Sequence, residues 1–125
     1  MGYDNLCRSI LQMDSKVRFA GICNVSGEIK HGGQKEGVKN ILTNEETRKS
    51  NLQALEGWGL RKSLSSKTGK GKYAMAEYEK IKRITIPLDN NNLLFISVDN
   101  TPLKASKGKS YGHLVDMGKI MSIVD

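Results

Sequence analysis

The segment from Tyr73 to Val98 constrains this chain most. Three runs within it, Tyr73 to Ile81, Ile84 to Leu88 and Leu93 to Val98, are strand-like. In the first, Tyr73, Met75, Glu77 and Glu79 alternate with Ala74, Ala76, Tyr78 and Lys80, the two-residue period of a strand with unlike faces. Asp89-Asn90-Asn91-Asn92 supplies turn residues between the later two, so the runs are expected to form an antiparallel meander. Leu93-Leu94-Phe95-Ile96 is apolar on both faces, and a strand of that kind must be covered from both sides at the centre of a sheet. Pro87 cannot donate to a ladder and suits an edge or terminal position.

The rest of the chain supplies two more strands and the helices to cover them. Leu6, Ile10 and Met13, with Cys7 and Leu11 alongside, recur every three to four residues and predict an amphipathic helix over residues 3–14. Val17 to Cys23 is apolar or small on both faces after Arg18 and predicts a central strand. Asn24-Val25-Ser26-Gly27 then turns the chain, and Glu28 to His31 returns as a shorter strand that Gly32-Gly33 should break. Val38, Ile41 and Leu42 suggest a helical turn after Gln34. Thr43 and Glu46 form a capping box, opening a long helix whose buried side reads as Leu52, Leu55, Trp58 or Gly59, and Leu64. Gly57 and Gly59 each weaken that helix by about 1 kcal/mol relative to Ala, and it should end near Leu64. Ser65 to Lys72 reads as a connector, and Asp99 to Gly112 as a polar loop with three lysines and Pro102, Gly108 and Gly112. Leu114, Met117, Met121 and Val124, with Ile120 and Ile123 beside them, predict a closing amphipathic helix.

The expected order is therefore α-β-β-α-β-β-β-α: an α+β fold with a five-stranded antiparallel sheet and helices packed against it. The length of 125 residues suits one domain, 1–125, with one core. An apolar fraction of 38% beside 26% charged residues is that of a globular chain. Cys7 and Cys23 are spaced as neither a metal pair nor a disulfide framework, so both are expected to be buried thiols. No stretch has the pattern of a signal peptide or the ~20 apolar residues of a membrane span, which makes cytoplasmic residence the expectation. Leu6 stands where a myristoylation signal wants Ser or Thr. Asn24-Val25-Ser26 matches a glycosylation acceptor that would go unused there.

Val17 to Gly27 as first strand and turn, a long helix from about Asn44, and Leu93 to Val98 followed by a terminal helix together resemble the roadblock/dynein light-chain family. That family is related to profilin-like and PAS-like domains. The segments VRFAGICNVSGEIKHGGQKEGVK and LLFISV are also similar to an uncharacterised archaeal protein family without an assigned activity. The first resemblance spans nearly the whole chain and implies a non-enzymatic scaffold, homodimeric through the long helix and sheet edge, that binds small GTPases or larger assemblies. Such a likeness is one of topology, and a fold by itself names no site.

The net charge of +7 is local: Arg61, Lys62, Lys67, Lys70, Lys72, Lys80, Lys82 and Arg83 face only Glu77 and Glu79 within one stretch, leaving six of the seven charges there. With Tyr73 and Tyr78 interleaved, this stretch is a candidate patch for single-stranded nucleic acid, aromatics stacking on bases and lysines neutralising phosphates. A lysine-rich sheet edge that opposes aggregation explains the same residues more simply. Lys67-Thr68-Gly69-Lys70-Gly71-Lys72 lacks the spacing of a phosphate-binding loop and precedes a strand. His31, expected at a strand end, and His113, near the last helix, have no ligand-like spacing to the cysteines. No nucleophile elbow is present. Glu77 and Glu79 should share one face of their strand, more simply as solvated charges than as an acid/base pair, while Trp58, Met117 and Met121 read as core or interface residues.

No catalytic residue, metal ligand or cofactor site emerges, and the chain is not read as an enzyme. The expected function is a protein-interaction module, homodimeric, meeting a protein partner through an exposed helix or sheet edge. The alternatives are a nucleic-acid-binding accessory protein using residues 61–83, and a PAS-like sensor, which would need a cavity between sheet and helix.

Overall fold

The computed structural model describes residues 2–100, 103–104, 110–111 and 114–125. Its elements are α1 (Tyr3–Met13), β1 (Val17–Cys23), β2 (Ile29–Gln34), α2 (Asn44–Ser63), α3 (Ser65–Thr68), β3 (Ala74–Glu77), β4 (Ile81–Pro87), β5 (Leu93–Asp99), β6 (Leu103–Lys104), β7 (Ser110–Tyr111) and α4 (Met117–Val124). Five strands form one antiparallel sheet in the order β2-β1-β5-β4-β3. β5 is its centre, and Leu93, Leu94, Phe95 and Ile96 are all buried, as a strand apolar on both faces requires.

One side of the sheet is covered by α1 and α4. Leu6, Cys7 and Ile10 of α1 and Ile120 of α4 meet Ala20 and Ile22 of β1, Leu94, Ile96 and Val98 of β5, and Ile84 and Ile86 of β4. Complete burial of an isoleucine such as Ile10 stabilises the fold by about 1.5–3 kcal/mol. Val17 joins this cluster although simple alternation pairs it with Phe19; the register slips between the two, a bulge that turns Val17 to the α1 side. The other side carries Phe19, Cys23, Ile29, Leu93, Phe95 and Ala74 beneath Ala54, Leu55 and Trp58 of α2.

The capping box at α2 is complete. The Glu46 amide donates to Thr43 Oγ1 at 3.1 Å and the Thr43 amide to Glu46 Oε1 at 2.9 Å, which holds the Glu46 carboxyl below its usual range. The buried side of the helix differs from expectation. Asn51 and Trp58 are its buried residues, while Leu52 and Leu64 are 38% and 52% exposed. One residue is a 100° step around a helix, so the row through Asn51, Ala54, Leu55 and Trp58 turns Leu52 outward. Beside its short apolar row of Ala54, Leu55 and Trp58, α2 is tied down by polar contacts: Asn51 Nδ2 donates to Gly27 O at 3.0 Å, Trp58 Nε1 to Thr85 Oγ1 at 2.7 Å, and Arg83 to Ser50 Oγ.

Several boundaries also move. β2 runs through Gly32-Gly33 to Gln34 instead of breaking there. Gly32 has φ +76, and a Cβ on it would sit 2.1 Å from Ala20 O and 2.8 Å from Cys7 Sγ, so glycine here admits a close approach of β1 and α1. His31 accordingly lies inside the strand. Residues 35–42 form turns without the expected helical turn, and the connector after α2 begins with the short helix α3. The break between the first two meander strands falls at residues 78–80, where the Tyr78 amide donates to Ile81 O at 2.8 Å; Glu79 is in that turn and shares no strand face with Glu77. Asn100 clamps the turn through Nδ2 to Tyr78 O at 2.7 Å and Glu77 Oε2 at 3.0 Å. Pro87 ends β4, and Asn90 and Asn91 take φ of 60° and 61° in the turn before β5. Of the polar loop expected over residues 99–112, Asp99 belongs to β5 and the β6–β7 ribbon pairs Leu103 with Tyr111 and Lys104 with Ser110; Pro102, Gly108, Gly112 and His113 lie outside the described residues.

Candidate functional site

The basic stretch is spread over five pieces of structure. Arg61 and Lys62 end α2, Lys67 is on α3, Lys70 and Lys72 lie in the extended segment before β3, Lys80 is in the β3–β4 turn, and Lys82 and Arg83 are on β4. The first six are exposed. Lys82 is only 7% exposed and stands opposite Val98 on the α1 side. Its neighbour Arg83 points to the opposite side, under α2, as strand alternation demands. The Arg83 guanidinium lies 5.2 Å over the Phe95 ring and donates to Ser50; burial lowers its pKa. Two of the eight cations thus turn inward on opposite sides of the sheet, Lys82 buried and Arg83 half-buried. Tyr73 and Tyr78 are exposed.

The glycine-lysine segment has a packing role. A Cβ on Gly71 would lie 2.5 Å from Trp58 Cζ3, so the missing side chain lets this segment pass over the indole, on which the Arg61 guanidinium also stacks at 4.9 Å. Burial pushes the Cys7 thiol up to about 11, with Asp4 adding to the effect, and raises Cys23 as well; both are free and stay protonated near neutrality, whereas a nucleophile needs thiolate. His31 Nδ1 is 3.0 Å from Asp4 Oδ1, with its ring edge-on to Tyr3 at 5.4 Å. Among the described residues no group of three His, Cys, Asp or Glu is placed to hold a metal ion, and no helix is long and apolar enough to cross a membrane.

Exposed apolar side chains remain in two places, at the C-terminal end of α2 and beside β3. Leu60 and Leu64, one helical turn apart, are 63% and 52% exposed, and Tyr73 and Met75 are 44% and 39% exposed. Met75 belongs to the edge strand β3, whose outer side has no neighbour in the sheet among the described residues; it stands opposite Ile84 and so faces the α1 side, while Ala74 beside it faces α2. The opposite edge, β2, carries Lys30, Gly32 and Gln34 as its exposed residues and a register irregularity beside Cys23, features that blunt an edge against pairing. The exposed helix and edge were expected from the sequence; the inward Arg83 was not. Its only signal was its two-residue spacing from Ile81 and Thr85, hidden when the strand is started at Ile84.

No family model and no curated protein matches the chain. Solved structures of like fold exist. A Roadblock/LC7 domain from Streptomyces avermitilis superposes with a TM-score of 0.61 at 11% identity, covering 98% of this chain and 88% of that one. The gliding protein MglB from Thermus thermophilus gives 0.65 at 10% identity over 96% and 78% of the two chains. An MglB in a tetrameric arrangement gives 0.61 at 10% identity over 76% and 68%. The likeness is one of fold: this chain has a roadblock-like α+β architecture.

Proposed function

We propose that the chain is a non-enzymatic interaction module that works as a homodimer in the cytoplasm, two copies meeting through the outer side of α2 and the edge of β3. The observation that carries this reading is the exposure of Tyr73 and Met75 at a strand edge unpaired among the described residues, with Leu60 and Leu64 exposed on the other side of the sheet at the end of α2. Apolar side chains at an open edge are a pairing surface unless something covers them. The polar β2 edge supports the choice of β3. The tetrameric arrangement of one like-folded MglB is a precedent for assembly of this architecture. Such a dimer meets a protein partner, a small GTPase or a larger assembly as the roadblock resemblance implies, through surface outside that contact. Nucleic acid is the lesser reading, because Lys82 and Arg83 do not join the other six cations on one open face.

Sedimentation equilibrium tests the dimer. The wild-type chain should sediment at twice its 13.8 kDa mass, and Leu60→Glu with Met75→Lys should shift it to monomer while the circular dichroism spectrum stays native. A wild-type chain that remains monomeric at high concentration refutes the reading.

A further inference from the structure

Beneath the N-terminal half of α2 the sheet is not fully covered. A cavity of about 280 Å³ lies there, lined among others by Arg18, Phe19, Asn51, Arg83, Phe95 and Ser97. It follows from the sequence of α2, whose inward residues in this half, Thr47 and Asn51, are polar and too small to fill the space that leucines would take. Strand register sets its floor: Arg83 stands opposite Ser97 on β5, and Ser97 opposite Phe19 on β1. One row across three strands therefore presents a cation, a hydroxyl and an aromatic ring.

The charge inside is one-sided. Among the described residues, Arg18 and Arg83 are the charged residues of the lining, and no carboxylate stands with them. Arg83 is held by Phe95 and Ser50, and Arg18 donates to Lys39 O at 3.0 Å. Neither guanidinium is ion-paired with a carboxylate among the described residues. A guanidinium has five N–H donors in a fixed fork that matches a carboxylate, and Arg83, half-buried, gives up part of its water without gaining a counter-charge. A bound anion would supply both the missing charge and the missing acceptors.

We propose that this cavity binds a small organic monoanion, its carboxylate on Arg83 with Arg18 at the rim and its apolar body between Phe19 and Phe95. The volume sets the size. A cavity of roughly 150 Å³ holds a benzene ring, so the space here accepts one ring or a short alkyl chain with its carboxylate, and is small among ligand pockets of about 300–1,000 Å³. A nucleotide does not fit. This site is independent of the outer apolar surface and goes beyond the interaction reading; it makes the module one that reports on a metabolite, since a ligand that binds only the folded chain stabilises it and the seating of α2 by mass action.

The test is a titration of the ¹⁵N-labelled full chain with benzoate and with hexanoate, using hexanamide and inorganic phosphate as controls. At least one acid should move the amide resonances of Phe19, Phe95 and Ser97 in a saturable way. Hexanamide, which has the body without the charge, and phosphate, which has the charge without the body, should not. Arg83→Gln should weaken binding at least roughly ten-fold, the loss expected for a charge-assisted hydrogen bond. Ser97→Leu, which fills the cavity from its floor and leaves Arg83 in place, should abolish binding while Trp58 fluorescence remains native; it decides the matter if the arginine variant does not fold. No saturable shift with either acid, equal response to hexanamide or phosphate, or unchanged binding in the folded variants would overturn the proposal.

Discussion

Replacing Asn51 with alanine probes how polar ties help hold a helix with a short apolar row on a sheet. Asn51 is 1% exposed, and its Nδ2 donates at 3.0 Å to the carbonyl of Gly27, a buried residue at φ +79 in the turn between β1 and β2. The contact joins α2 to a hairpin 24 residues away in sequence. Truncation leaves the Gly27 carbonyl without this donor, which costs about 1–3 kcal/mol. The side chain lines the cavity under α2, so little further cost comes from lost packing, and a loss of about 2 kcal/mol is expected. That is a large share of the ~5–15 kcal/mol that holds a domain of this size. Urea unfolding followed by Trp58 fluorescence suits the measurement, because Trp58 is the single tryptophan and is 8% exposed against Thr85. The midpoint should fall at an unchanged slope. Asn51→Asp, which sets an acceptor where the donor stood, should cost more at neutral pH. An alanine variant within about 0.5 kcal/mol of wild type, the range of ordinary surface changes, would refute the idea that polar ties seat α2.

Two further outcomes follow from burial and backbone geometry. The Cys7 thiol is held at about 11 against an ordinary 9.0, so between these values the folded chain keeps a proton that the unfolded chain has lost. Stability is then intact below the lower value and falls as pH rises through this window, by about 1.4 kcal/mol per unit for Cys7; urea melts from about pH 8 to about pH 10 should show a shallower fall in Cys7→Ala, and an unchanged fall would contradict the burial argument. Among the glycines, Gly32→Ala should cost about 3 kcal/mol or more from its positive φ and the encroachment on Ala20 O, whereas Gly59→Ala, with open space around its Cβ position, should raise the thermal midpoint through about 0.5–1 kcal/mol of helix propensity. Equal effects at the two positions would remove the distinction between them.

What the sequence made legible was what local chemistry decides. Leu93 to Ile96 announced a central strand because no half-exposed strand carries four apolar residues in a row, and Thr43 with Glu46 announced a helix start because two orphan amides find partners there. What it hid depended on tertiary contact. Gly32 reads as a breaker by propensity, yet the strand continues because β1 and α1 approach too closely for a side chain. Leu52 reads as buried, but a hairpin carbonyl beneath α2 holds Asn51 inward and turns Leu52 outward. Lys82 and Arg83 read as two members of one patch; their strand sends them to opposite sides. An inward arginine opposite a serine became visible only once the register of β4, β5 and β1 was known.

Hydrogen exchange at β3 tests the central claim most directly. If two copies pair along this edge, the outward amides within Ala74–Glu77 should become protected as protein concentration rises, and Leu60→Glu with Met75→Lys should abolish that protection without altering exchange at β5. Fast exchange at the β3 edge at every concentration, with β5 protected throughout, would show a folded chain whose open edge stays bare and would contradict the account.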